Sequence, residues 1–361
     1  MTRYSRHIVL SEVGQEGQNK LLQAKVLVVG AGGLGCPVLQ YLVAAGVGTI
    51  GIMDFDSVMV SNLQRQILFG TSSLGMNKAI AAKNRLEDLN PTININVYPN
   101  RLTAQNAIEI FENYDIIVDG TDDFATRYLI NDASIITNKP VVYGAIYKFE
   151  GQVSVFNYQN GPSYRCLFPN PPKEGSVANC AEVGVLGVLP GIIGSMQANE
   201  VIKIILAFDN VLSGKLLCYN ARTTHTSTLK INKSDIEFEK VLQRKDNFQE
   251  DNEKVSCENS VIEISAEELL KMNNIQFVDV REPNEQPSLD LQNCIQIPLK
   301  ELEQNLDKIN SNNTNVLFCQ SGVRSRAAVE ILKNHNINNC YSLKGGVSTI
   351  IELPIAIRDK N

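Results

Sequence analysis

Three stretches of this sequence gather residue types that handle phosphate, metal ions or sulfur. The first is Val28-Val29-Gly30-Ala31-Gly32-Gly33-Leu34-Gly35, a G-x-G-x-x-G pattern between a strand-like and a helix-like run. Glycines there let the backbone approach a phosphate. The following helix N-terminus offers unpaired N–H groups and the positive end of a dipole. Nineteen residues past Gly35, where a strand pattern ends, Asp54 stands where a carboxylate would hold ribose hydroxyls. A nicotinamide dinucleotide could use those two features. The next residues of note, Ser61-Asn62-Leu63-Gln64-Arg65-Gln66 and then Lys78, add cations and amides that a triphosphate needs and a dinucleotide does not.

The second stretch, Val118-Asp119-Gly120-Thr121-Asp122-Asp123, ends a strand with three carboxylates. Carboxylates beside a triphosphate suit Mg²⁺, which takes one or two of them together with phosphate oxygens. Asp122 or Asp123 is also placed to cap the helix that starts at Phe124. The third is Phe318-Cys319-Gln320-Ser321-Gly322-Val323-Arg324-Ser325, a cysteine loop between a strand and a helix. Backbone N–H groups at such a helix start stabilise a thiolate or persulfide, and Arg324 adds positive charge. The loop is shorter than a phosphatase C-x-x-x-x-x-R loop, which favours sulfur over phosphate. Cys180, within Ala178-Asn179-Cys180-Ala181-Glu182, is a second candidate thiol. Neither a serine–histidine triad nor a histidine metal cluster is expected from His7, His225 and His335, and the eight cysteines include no C-x-x-C pair.

Alternating strands and helices must position these residues. Lys25–Val29, Thr49–Asp54, Ile93–Tyr98, Asp115–Asp119 and Pro140–Ala145 read as strands, with helices over Met76–Leu89 and Phe124–Thr137. The pattern predicts a parallel α/β sheet. Gly151–Phe156 adds a strand, a Pro/Gly-rich loop spans 160–178, a buried helix 189–207, and two closing strands 215–231. Residues 233–259 are crowded with charges and amides and read as a linker. A second α/β pattern comes after it, with strands at Val261–Ile264, Gln276–Val280 and Asn315–Phe318 and a helix at Ser325–Asn334. The division expected is therefore 1–232, a linker 233–259, and 260–361. A net charge of −6 gives no general attraction to nucleic acid or anionic membranes. No apolar run approaches a membrane span and the N-terminus lacks a signal-peptide core, so a cytoplasmic location is expected.

GAGGLG, DFD, SNLQRQ, a lysine after a short gap, and TDD, in that order and spacing, resemble the MoeB/ThiF family of adenylyltransferases, relatives of ubiquitin-activating enzymes. The resemblance runs over about residues 1–231 and implies a Rossmann-like doubly wound sheet. It implies that Gly30, Gly32, Gly33 and Asp54 contact ATP. Ser61, Asn62, Leu63, Gln64 and Arg65 would line the phosphates, Lys78 would bind phosphate, and Asp122 would hold Mg²⁺ beside Asp123. Arg3-Tyr4-Ser5-Arg6-His7 resembles the family's R-Y-x-R-Q, in which the second arginine, here Arg6, reaches the triphosphate of the other subunit of a homodimer. Relatives often carry zinc on two C-x-x-C pairs. These would fall at Ser163–Cys166 and near Asn232–Asp235, where one ligand of four remains, so no zinc is expected. Cys180 matches a family cysteine of thioester or persulfide chemistry.

Phe277-Val278-Asp279-Val280-Arg281-Glu282-Pro283-Asn284-Glu285 resembles the rhodanese signature D-V-R-E-P-x-E, and the Cys319 loop its C-x-x-G-x-R-S, over about residues 260–355. The signature's H-I-x-G-A-x-N-I-P is reduced to Asn293-Cys294-Ile295-Gln296-Ile297-Pro298, and tryptophans are absent after Gly345-Gly346. Together the two resemblances imply adenylation of the Gly-Gly terminus of a ubiquitin-like sulfur carrier of MoaD or ThiS type. Sulfur would then come from a Cys319 persulfide loaded by a donor such as a cysteine desulfurase. The product would be a thiocarboxylate for molybdenum cofactor or thiamin synthesis. A nicotinamide-dependent oxidoreductase, and an adenylating enzyme whose rhodanese domain only binds partners, are the alternatives.

Overall fold

The run Lys25-Val-Leu-Val-Val29 is apolar at successive positions, as a strand covered on both faces must be. It forms β1 (Lys25–Val29), four of whose five residues are buried. The computed structural model describes residues 3–172, 184–248, 263–310 and 313–352. The chain divides into two compact units.

The first unit holds α1 (Ser5–Ile8), α2 (Gly14–Gln23), β1, α3 (Gly35–Ala45), β2 (Thr49–Met53), α4 (Lys78–Leu89), β3 (Asn94–Tyr98), α5 (Ala104–Glu112), β4 (Ile116–Asp119) and α6 (Phe124–Thr137). It continues with β5 (Val141–Tyr147), β6 (Glu150–Phe156), α7 (Tyr164–Leu167), α8 (Val188–Leu206), β7 (Lys215–Asn220), β8 (Thr226–Lys230) and α9 (Asp235–Leu242). The sheet order is β3-β2-β1-β4-β5-β6-β7-β8. The first five strands are parallel and the last three antiparallel. Strand period two sends Val26 and Val28 to one face, with Leu39 and Leu42, and Leu27 and Val29 to the other, with Phe111 and Ile130. Both faces are thus covered, as a doubly wound fold requires. The chain runs outward from β1 to β3 and returns to β4, so a crevice opens between the carboxyl ends of β1 and β4, where such sheets bind ligands.

The second unit contains β9 (Glu263–Ile264), α10 (Ala266–Leu269), β10 (Ile275–Asp279), β11 (Cys294–Gln296), β12 (Thr314–Phe318), α11 (Val323–Asn334), β13 (Cys340–Leu343) and α12 (Val347–Glu352). Its five strands are parallel, in the order β11-β10-β12-β13-β9. Val278 and Leu317 pack with Ala328 and Leu332 on one side, and Phe277, Val316 and Phe318 with Leu343 on the other.

The structure differs from the sequence expectation in one stretch above all. The charged segment read as a linker from residue 233 starts with a helix, α9, which belongs to the first unit. Val241 is buried, and Phe248 joins the core that holds Phe111 and Tyr128. A few apolar anchors among many charges are enough to order a short helix against an existing core. The helix expected from Ser325 begins two residues earlier, at Val323. Among the described residues no helix is long and apolar enough to cross a membrane.

Candidate functional site

The glycine turn after β1 is closed by contacts that only glycine permits. Gly30 has φ +94°, and a Cβ there would stand 2.7 Å from the Gly120 carbonyl oxygen. A Cβ on Gly35 would collide with the Gly30 carbonyl. The loops after β1 and β4 therefore touch across the crevice. No side chain caps the α3 N-terminus; Cys36 N donates to the Gly32 carbonyl at 2.9 Å and Pro37 has no N–H, which ties the first turn of the helix to the glycine turn.

Asp54, just past β2, is buried. Its Oδ2 accepts from Ala31 N at 2.8 Å and its Oδ1 from Asp56 N at 2.9 Å. Each oxygen keeps a further acceptor site for a ribose hydroxyl. Burial pushes the Asp54 carboxyl up, against the pull of the nearby Lys78 charge. Lys78 opens α4 with a side chain only 7% exposed, and its Nζ donates to Asp56 Oδ2 at 3.0 Å. Asn77 caps the same helix through Oδ1, while its Nδ2 donates to the Asp54 carbonyl at 2.9 Å. The glycine turn, the end of β2 and Lys78 are thus wired together through Asp54 and Asp56. Asp56, the last residue of the DFD pattern, is a member of the site that the spacing alone does not single out.

Between them lies the Ser61–Gln66 segment. Asn62 is buried, and its Oδ1 accepts from Met59 N at 3.1 Å, which fixes the turn. Arg65 Nη1 donates to the Ser61 carbonyl at 3.0 Å, and Arg65 Cγ lies 3.6 Å from where a Cβ on Gly33 would stand. Gln64 packs on Gly187, at the start of α8. Gly33, Arg65 and the α8 N-terminus are therefore neighbours.

At the end of β4, Asp119 Oδ1 accepts from Thr121 N at 3.0 Å and from the Thr121 hydroxyl at 2.6 Å. Burial pushes the Asp119 carboxyl up, while the Arg127 charge and the Thr121 hydrogen bonds pull it back. Arg127, also buried, donates from Nη2 to the Thr121 carbonyl at 3.0 Å and holds its Nε 3.9 Å from Asp119 Oδ2. Asp123 caps α6, accepting from Thr126 N at 2.8 Å. Asp122 is exposed and makes no hydrogen bond among the described residues. Of the two carboxylates it is the one available to a hard, oxygen-seeking cation. Arg127 looks like one more helical cation in the sequence, and only the fold brings it beside Asp119.

In the second unit Cys319 follows β12 and is fully buried. Gly322 N donates to its Sγ at 3.1 Å, and the Ser325 hydroxyl lies 3.8 Å away. Gly322, at φ +98°, turns the chain into α11. A Cβ on Gly346 would collide with the Cys319 carbonyl. Arg324 is matched by a carboxylate: Nη1 and Nη2 donate to Glu285 Oε1 and Oε2 at 2.6 and 2.7 Å. Glu285 comes from the D-V-R-E-P-N-E segment, and Arg281 of that segment pairs with Asp279, Nη2 to Oδ2 at 2.7 Å.

The remaining thiols separate clearly. Burial pushes the Cys36 thiol up to about 12, and Cys340 up to about 11, which leaves both unreactive. Cys166 lies in α7, and its Sγ accepts from Ser163 N and Ser234 N, each at 3.3 Å. The two places expected for C-x-x-C pairs are thus adjacent. Among the described residues no group of three His, Cys, Asp or Glu could hold a metal ion. Cys180 lies outside the described residues. Arg6 is exposed on α1; near it Tyr4 packs on Gly46 and accepts from Asn90 Nδ2 at 2.9 Å.

The ThiF family matches residues 4–239 and the rhodanese-like domain residues 265–352. A probable adenylyltransferase/sulfurtransferase MoeZ of Mycobacterium tuberculosis is 39% identical over 361 residues, covering 96% of this chain and 92% of the relative. A sulfur carrier protein adenylyltransferase of Thermus thermophilus is 53% identical over 226 residues, 61% of this chain and 83% of the relative. Among solved structures, E. coli MccB with ATP aligns with a TM-score of 0.57 at 22% identity, covering 65% of this chain and 72% of that one, a likeness of fold.

Proposed function

The chain belongs to the ThiF family and carries a rhodanese-like domain, and on that footing we propose that it adenylates the C-terminal glycine of a ubiquitin-like sulfur carrier and supplies the sulfur that replaces the adenylate. It is an adenylyltransferase joined to a sulfurtransferase-type domain, as in relatives matched along nearly its whole length. The observation that carries the reading is the convergence on one crevice of the glycine turn, the Asp54–Asp56–Lys78 wiring, Arg65 and Asp122. A nicotinamide dinucleotide would leave Arg65, Lys78 and Asp122 without a task.

In the proposed reaction a carrier carboxylate oxygen attacks the α-phosphorus, the bond to pyrophosphate breaks, and an acyl-adenylate forms. The nucleophile is already ionised near neutral pH, so no strong base is required. The work of this chain is positioning and charge neutralisation. Turn N–H groups, Lys78 and Arg65 take the phosphates, with Asn62 shaping the turn. Asp54 takes the ribose. Asp122 suits Mg²⁺, which when bound with the triphosphate neutralises charge on its oxygens. Arg127 fixes the loop on which Asp122 sits.

In the sulfur step the outer sulfur of a Cys319 persulfide attacks the acyl carbon and AMP leaves, giving an acyl disulfide. The Cys180 thiolate then attacks the Cys319 sulfur, the thiocarboxylate leaves, and an external thiol reductant reopens the resulting Cys180–Cys319 disulfide. The Gly322 N–H, which donates to Cys319 Sγ, stabilises the persulfide anion before it attacks. The reading further includes a homodimer with Arg6 reaching the partner's triphosphate, a cysteine desulfurase as donor, a cytoplasmic setting, and a product used for molybdenum cofactor or thiamin synthesis. ATP–pyrophosphate exchange tests the adenylation half. Exchange is expected only when a Gly-Gly-ended carrier is present. Turnover of NAD with no exchange would replace this reading with the oxidoreductase one.

A further inference from the structure

Resting on the sulfur-transfer reading above, we propose that Ser342 is a positioning residue of the Cys319 site. It holds the Ser325 hydroxyl so that this group's proton turns from the Gly322 carbonyl to the Cys319 sulfur when that sulfur is a thiolate. Ser342 lies on β13, outside both signature segments of the domain, and is fully buried, as are Ser325 and Cys319. In the parallel register it stands beside Leu317 of β12, so the two side chains share a face. Cys319, Ala328 and Cys340 pack with Leu317 there. A hydroxyl on such an apolar face is unfavourable unless it is hydrogen-bonded. Its partner is Ser325 Oγ at 2.9 Å. Ser325 Oγ in turn donates to the Gly322 carbonyl at 3.0 Å and stands 3.8 Å from Cys319 Sγ.

Counting protons gives the chain of three a direction. Each hydroxyl carries one proton and two acceptor sites. With the Ser325 proton on the Gly322 carbonyl, Ser342 is the donor in the 2.9 Å bond. The Ser325 proton then has two targets, the Gly322 carbonyl and Cys319 Sγ. The carbonyl also accepts from Arg326 N at 3.2 Å, so it stays bonded when the serine proton leaves it. A thiolate is the stronger acceptor, because its hydrogen bonds are charge-assisted. Donation from Ser342 polarises the Ser325 hydroxyl and makes it a better donor. Gly322 N already donates to Sγ at 3.1 Å, so the serine adds a second donor to the anion. The thiolate is the nucleophile that loads the site. Its Sγ attacks the outer sulfur of a donor persulfide, the new S–S bond forms, the donor's S–S bond breaks, and the donor leaves as a thiolate with the electron pair. The charged groups of the loop and of the segments packed on it are paired: Arg324 with Glu285, Arg281 with Asp279, and Arg326 with Glu263. Cys340, two residues before Ser342, stays a neutral thiol, its pKa pushed up to about 11 by burial. Changing either serine leaves these groups in place.

The test uses the full chain with Ser342→Ala, Ser325→Ala, the double variant, and Ser342→Cys, which keeps the size and a weaker donor. The rate of Cys319 alkylation is followed against pH by mass spectrometry, beside persulfide loading from a persulfide donor and thermal unfolding. Ser325→Ala should raise the alkylation midpoint by about one pH unit and Ser342→Ala by about half a unit, with Ser342→Cys between wild type and Ser342→Ala. Loading at neutral pH should fall by about tenfold and threefold in the two alanine variants. The double variant should match Ser325→Ala, since Ser342 acts through Ser325. An unmoved midpoint in Ser342→Ala, with or without a lower melting temperature, marks a purely structural serine and overturns the proposal. So does a double variant whose shift is the sum of the two. Should Ser342→Ala fail to fold, a wild-type midpoint in Ser342→Cys overturns it equally. A wild-type chain that takes up no sulfur on Cys319 overturns the sulfur-transfer reading and this proposal with it; normal uptake beside an unmoved Ser342→Ala midpoint overturns this proposal alone.

Discussion

The crevice of the first unit is assembled from distant segments: residues 30–35, 54–56, 61–66, 77–78 and 119–127 each contribute, held by hydrogen bonds that cross between strands and loops. The Cys319 loop of the second unit is one short run between β12 and α11, braced by Glu285 and Gly346. A triphosphate is long and highly charged, so neutralising it takes groups from several elements. A sulfur atom is small, and one turn of backbone N–H groups can hold it. The first site should therefore lose function in steps when single residues change. The second should lose it all at once at a single residue.

Cys319→Ala is the largest expected effect. Sulfur transfer to a small acceptor should fall at least about a thousandfold, because the nucleophile itself is gone. Carrier-dependent pyrophosphate exchange should stay at the wild-type rate, and a parallel fall in exchange would contradict the separation of the two chemistries. Next come Lys78→Met and Asp122→Asn. Each should slow exchange by about 10²- to 10³-fold, the usual loss when one charge-stabilising group leaves a site, with sulfur transfer unaffected. If either variant exchanges normally, that residue does not serve the phosphates.

Arg127→Gln should destabilise the first unit by about 3–5 kcal/mol, because Asp119 is then a buried carboxylate without its counter-charge. Adding Asp119→Asn should recover most of that loss, as read from denaturant midpoints. An additive double variant would mean that the two groups are not coupled. The smallest effect concerns Glu285. Its hydrogen bonds from Arg324 hold its carboxyl below the usual range, despite partial burial. A carboxylate with a depressed folded-state pKa stabilises the fold above the unfolded value, about 4.3, and the contribution disappears as pH falls through the lower folded value. Glu285→Gln should lower the stability of the second unit at neutral pH and flatten its decline below about pH 4.3. An unchanged acid profile would show that the pair contributes nothing to folding.

Much of this contrast is readable in the residues. Strands β1, β2 and β4 stand out through apolar runs, and the glycine turn and Cys319 loop through spacing. The partners that hold those groups in place are not readable, since they arise from folding. Nothing local distinguishes Arg127 from a solvated helical arginine until β4 brings Asp119 beside it. The choice between Asp122 and Asp123 as cap depends on where α6 starts, and Asp123 takes that place. The short strands β11 and β13 carry too few residues for alternation to show. The helix α9 is hidden among charges, its burial resting on Val241 and on Phe248 beyond its end.

The union of adenylation with sulfur delivery in one chain is tested most directly by mass spectrometry of a Gly-Gly-ended carrier after incubation with the full chain, ATP and a persulfide donor. An acyl-adenylate is expected when the donor is omitted. With all components, one exchange of oxygen for sulfur is expected at the carrier terminus, absent without ATP and absent in Cys319→Ala. A thiocarboxylate formed without ATP, or formed at the wild-type yield by Cys319→Ala, would break that union.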